Sequence, residues 1–75
     1  MTLSEFERLP ANKKVELLYK EGIYIGKHKT GSSIAILYQL DSFYVEIFYR
    51  KYRNEIDRLN CFTSPNYIDP YLNET

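Results

Sequence analysis

One cysteine and one histidine are all that these 75 residues offer to thiol or soft-metal chemistry. A lone Cys61 excludes an intramolecular disulfide framework and a multi-cysteine zinc site. Three glycines and three prolines leave no low-complexity linker, and no internal repeat is visible. No apolar run approaches the roughly 18 residues of a membrane span. Charge of one sign is also lacking: ten basic and ten acidic residues cancel, which argues against a general polyanion binder. The opening MTLSEFERLP carries early acidic residues and no apolar stretch of the kind a secretory leader needs, so a cytoplasmic setting is expected.

What is present is a globular composition, 44% hydrophobic and 27% charged, in a chain with room for one domain, residues 1–75. A chain this short closes a core only by using nearly all its large side chains. The eight tyrosines and four phenylalanines therefore go to the core before any go to a ligand. Dimerisation would ease the shortage. Charge is unevenly placed: residues 23–53 hold five basic and two acidic groups, residues 54–75 one basic and four acidic.

Ser4 and Glu7 have capping-box spacing, which predicts a short helix over Glu5–Leu9. Pro10 then suits the start of a second helix, Ala11–Glu21, with Ala11, Val15 and Leu18 on one side. Gly22 stands where a left-handed C-cap belongs. After it the period changes to two, predicting strands at Ile23–Lys29, Ser33–Leu40 and from Phe43 to Tyr49. A two-residue Thr30-Gly31 loop would pair Lys27 with Ile34, Ile25 with Ile36 and Ile23 with Tyr38. An Asp41-Ser42 loop would pair Leu40 with Phe43, Tyr38 with Val45, Ile36 with Ile47 and Ile34 with Tyr49. RKYRN reads as a loop and EIDRLNCF as a fourth strand. The competing helical spacing of Val45, Phe48, Tyr49, Tyr52, Ile56 and Leu59 yields to the β-branched and aromatic content of Phe43–Tyr49. Ser64-Pro65 predicts a short terminal helix. The expected fold is α+β: N-terminal helices on a three- or four-stranded antiparallel meander, closed by a C-terminal helix.

Several motifs fail on inspection. GKHKTGSS, Gly26–Ser33, has Ser32 where a phosphate-binding loop needs its lysine, and a strand rather than a helix follows. The letters FYVE name a zinc finger whose paired cysteines are missing. His28 and Cys61 have no elbow or third polar group that marks a nucleophile and its base. Glu46, Glu55, Asp57 and Asp69 show no pairing suited to acid–base work or a metal. The expectation is a protein that is not an enzyme and takes no cofactor or metal.

Two surfaces remain. The sheet face turned from the helices would show Tyr24, Leu37, Tyr44 and Phe48 around Glu46, more apolar than a solvated face normally is. These five residues are the candidate contact surface for a protein partner or for self-association, with cover by Tyr67, Ile68, Tyr71 and Leu72 of the terminal helix as the structural alternative. On that reading Leu37→Asp or Phe48→Asp would abolish association and leave the fold intact. The second surface is basic and aromatic: Lys27, Lys29, Arg50, Lys51 and Arg53, beside the tyrosines of YRKYR, would form a patch for single-stranded nucleic acid.

The run Leu37-Tyr38-Gln39-Leu40, then Phe43-Tyr44-Val45-Glu46-Ile47, Phe62, and Ile68-Asp69-Pro70-Tyr71-Leu72 resembles a group of short uncharacterised bacterial proteins with a LYxL…FYVE[IV]…PYL pattern. The resemblance covers most of the chain and implies a bacterial cytoplasmic setting; it implies no activity and no site residues.

Overall fold

A computed structural model describes residues 1–50, 55–64, 68 and 71. Two helices, α1 (Leu3–Glu7) and α2 (Ala11–Glu21), precede four strands: β1 (Ile23–Thr30), β2 (Ser33–Leu40), β3 (Phe43–Arg50) and β4 (Glu55–Phe62). The strands form one antiparallel meander in the order β1-β2-β3-β4. This is the α+β architecture that the change of period predicts, and the helical spacing through Val45–Leu59 is not used. The RKYRN loop lies mostly outside the described residues. So does most of the expected C-terminal helix.

Helix α1 begins two residues earlier than expected. Thr2, not Ser4, is the N-cap: its hydroxyl accepts from the Glu5 N–H at 3.2 Å, and Glu5 Oε1 accepts from the Thr2 N–H at 2.8 Å. Thr2-x-x-Glu5 has the same spacing as Ser4-x-x-Glu7, so the motif alone does not choose. Packing chooses, because this start carries Phe6 into the core, fully buried, with its ring 5.5 Å from that of Phe43.

Helix α2 has the expected bounds, with Leu18 buried. Gly22 is needed for a different reason from the expected one. Its φ of −71° and ψ of 149° are extended, not left-handed. A Cβ there would meet the Leu18 carbonyl oxygen at 2.6 Å, closer than atoms approach without something moving. Gly22 donates its own N–H to that oxygen at 2.9 Å, so the helix leaves for β1 through a passage with no room for a methyl group. Gly22→Ala is expected to cost about 1–3 kcal/mol by overpacking, read as a fall in the urea midpoint. An unchanged midpoint would mean that the junction relaxes freely.

The β2–β3 register is the predicted one throughout, from Leu40 opposite Phe43 to Ile34 opposite Tyr49. Asp41 (φ 54°) takes the left-handed turn of the Asp41-Ser42 loop. The β1–β2 register differs. The loop is Gly31-Ser32, with Gly31 at φ 53°, so Lys27 lies opposite Ile36 rather than Ile34. A β-bulge then inserts Ile25 between Tyr24 and Gly26, and Tyr24 faces Tyr38. A second irregularity, at Phe48/Tyr49, shifts β4 past Asp57. Both bulged positions concern edge strands, where a bulge and charged side chains discourage pairing with another chain.

Each sheet face has its own core. On the helix side Phe6, Leu18, Leu40, Phe43, Val45 and Ile47 are buried, with Leu17, Tyr38, Tyr49, Leu59 and Cys61 packed around them. On the other side Ala35, Leu37 and Tyr71 are buried, with Ile25, Tyr44, Phe48, Phe62 and Ile68 around them. The bulge changes the face of three residues. Ile23, opposite Gln39 rather than Tyr38, and Ile25 go to the face away from the helices, and Tyr24 goes to the helix side, where its ring is 6.1 Å from Tyr38.

Candidate functional site

The face nominated from the sequence holds four of its five residues. Leu37, Tyr44, Glu46 and Phe48 share it, and Tyr24 does not, because of the bulge at Ile25. The four are covered from within the chain. Leu37 is 0% exposed and Tyr71 only 4%. Glu46, the charge expected inside an apolar ring, has both oxygens occupied: Oε1 accepts from Asn60 Nδ2 at 2.7 Å, and Oε2 from the Tyr71 hydroxyl. Burial first, then the Glu46 hydrogen bond and charge, push the Tyr71 hydroxyl above the usual phenol range. Gly26 completes the seat, since a Cβ there would lie 3.0 Å from the Tyr71 carbonyl oxygen. Further along, Tyr44 stacks on Phe62 at 5.4 Å and the Arg58 guanidinium sits 4.3 Å above the Phe48 ring. Intrachain cover is what the terminal residues Ile68 and Tyr71 supply.

The helix side is different. α1 and α2 bury the end of the sheet nearest the Asp41-Ser42 loop and leave the other end open. Four cross-strand rows run over this face: Leu40–Phe43, then Tyr24–Tyr38–Val45–Cys61, Lys27–Ile36–Ile47–Leu59 and Lys29–Ile34–Tyr49–Ile56. A groove of about 590 Å³ lies on this face, floored by Ile34 and Ile36 and lined by Val15 and Tyr19 of α2, Tyr38, Tyr49, Arg50 and Ile56. Tyr19 and Tyr24 are 58% and 57% exposed, which makes them surface rings in a chain short of core material. Tyr19 lies edge-on to Tyr38 at 6.4 Å, and its hydroxyl is hydrogen-bonded to that of Tyr49. Burial, followed by that bond, raises the Tyr49 hydroxyl well above the ordinary phenol range, and burial raises Tyr38. Both rings are half-buried walls of the groove.

Of the basic set, Lys27 and Lys29 stand on the groove side, opposite Ile36 and Ile34. Arg50 lines the groove with its guanidinium 3.4 Å from Asp57. Lys51 and Arg53 lie outside the described residues. His28 and Cys61 are on opposite faces, His28 beside the Tyr71 ring and Cys61 in the helix-side core, so they cannot act as a pair. Burial also pushes the Cys61 thiol up, away from the thiolate that a nucleophile needs.

Sequence reasoning missed the groove. Its tyrosines, Tyr19, Tyr38 and Tyr49, belong to three separate elements, so no local pattern joins them. No protein-family model matches this chain, and no curated protein or solved structure matches it.

Proposed function

We propose that this chain is a non-catalytic binding module whose contact surface is the open end of the helix-side sheet face. The observation that carries the reading is the exposed tyrosine cluster. Tyr19 and Tyr24 stand out to solvent beside half-buried Tyr38 and Tyr49, and Ile56 on the same face is 41% exposed. Tyrosine supplies large, stiff, amphipathic contact area at little conformational cost and is enriched where proteins meet partners. The opposite face, whose apolar side chains are covered by Tyr71, supports this surface from behind.

The test compares wild type with a Tyr19→Ser, Tyr24→Ser double variant. Both positions are exposed, so the variant is expected to keep the wild-type circular dichroism and lose no more than about 1 kcal/mol of stability. Sedimentation velocity and affinity capture, with bound material assayed for both protein and nucleic acid, should show a species on wild type that the variant retains at least fivefold less. Equal retention by the two would remove this surface from the reading.

A further inference from the structure

Charge names the occupant of the groove, given that the groove is a binding surface. Lys27 and Lys29 project beside it from the edge strand, about 6.7 Å apart along β1. Both are exposed, and among the described residues no carboxylate lies within ion-pair distance of either. Residues 23–53 contain two acidic side chains, and neither faces the groove. Asp41 sits in the loop at the far end of the sheet, and Glu46 is on the other face under Tyr71. Asp57 approaches the groove but is engaged by Arg50. A neutral protein thus presents a locally positive edge.

The second observation is order. The lysines form a rail along the outermost strand, while isoleucines and tyrosines lie further in, on β2, β3 and α2; Tyr24, on β1, stands beside the groove with its ring 6.1 Å from that of Tyr38. A charged rail beside a platform of rings is what an unpaired polynucleotide requires: phosphates follow the cations and bases lie on aromatic faces, with little dependence on sequence. A duplex turns its bases inward and has no use for the rings. An acidic peptide would also meet the lysines, but an unpaired polynucleotide brings a phosphate charge and a flat ring at every unit of its length, matching both features of the groove. We propose that the groove and the Tyr24 ring beside it bind single-stranded nucleic acid, with phosphates at Lys27 and Lys29 and bases against Tyr19 and Tyr24.

The test is fluorescence anisotropy with labelled oligouridylate and oligothymidylate of about 12 nucleotides, a duplex of equal length and a labelled polyglutamate, at roughly 25–200 mM salt. Two phosphate contacts predict a slope of log K against log[salt] of about −1.4 for the single strands. Lys27→Ala with Lys29→Ala should flatten most of that slope and weaken binding at least tenfold at the lowest salt. Tyr24→Ala, and separately Tyr19→Ala, should weaken binding at least fivefold with the slope unchanged. This division of effects, with lysines on the slope and tyrosines on the affinity, is the signature. Polyglutamate or duplex binding as well as the single strands, with the tyrosine variants silent, overturns the proposal, as does no binding at the lowest salt. If single strands fail while the Tyr19→Ser, Tyr24→Ser variant still loses a captured protein or self-association, the surface stands and only its occupant is wrong.

Discussion

Leu37→Asp is expected to unfold the protein outright. Read from the sequence, this substitution spoils a contact surface and spares the fold. The structure reverses that, because Leu37 is fully buried between β1 and β3 with Ala35, Ile25, Tyr44, Phe48 and Tyr71 around it. A carboxylate there loses its hydration among apolar side chains and sits across the strand pair from Glu46, which is already fully engaged. An unpaired buried charge costs several kcal/mol. A 75-residue domain has about 4–11 kcal/mol of stability in total. Leu37→Ala, which only opens a cavity, should cost about 2–4 kcal/mol and remain folded. Circular dichroism at 25 °C and urea titration separate the two. A folded Leu37→Asp protein with a wild-type midpoint would show that this face is solvated and that the Tyr71 cover is not formed in solution.

The second large effect concerns that cover. Tyr71→Ala should cost about 3 kcal/mol or more, the range for emptying a buried aromatic site. It should also uncover Ala35, Leu37, Tyr44 and Phe48 together, so the variant is expected to self-associate more strongly than wild type as concentration rises. Tyr71→Phe keeps the ring and removes the donor to Glu46, leaving a half-buried carboxylate oxygen short of one bond, for about 1–2 kcal/mol. The pH dependence follows from the same contact. The Tyr71 hydroxyl is raised in the folded state, so its contribution is fully present below about pH 10, the unfolded phenol value, and is lost as pH rises beyond it. Tyr38 and Tyr49 are shifted the same way. Wild type should lose stability steadily above about pH 10, and Tyr71→Phe should lose less over the same interval. An identical alkaline decline in the two proteins would mean that Tyr71 is not held by Glu46.

How far the sequence reaches is clearest at the two hairpins. The β2–β3 register was legible because both strands alternate and any one-residue slip would turn Phe43, Val45 and Ile47 to the wrong face. The β1–β2 register was not. Moving the loop from Thr30-Gly31 to Gly31-Ser32 slides β1 by two residues, and a two-residue slide leaves every side chain on its own face. Alternation is blind to it. At Ile25 the bulge does change faces, and Gly26 beside it is the one local sign, since a glycine inside a strand marks a bulge or a close backbone approach without saying which. Its gain is tertiary: Ile25 joins Leu37 and Tyr71, and Gly26 comes close enough for the Tyr71 main chain.

The sequence by itself determined the elements, since a helix period that breaks at Gly22 and three alternating runs separated by short polar turns can be satisfied by little other than a helix followed by a meander. It also determined that the sheet would be apolar on both faces. Only the tertiary structure decided which of those faces is left open. Alternation is a property of neighbouring residues, whereas cover depends on where α2 ends and on a tyrosine far along the chain. α2 reaches across one end of the sheet and Tyr71 closes the other side, which leaves Tyr19, Tyr24, Tyr38 and Tyr49 gathered where neither extends.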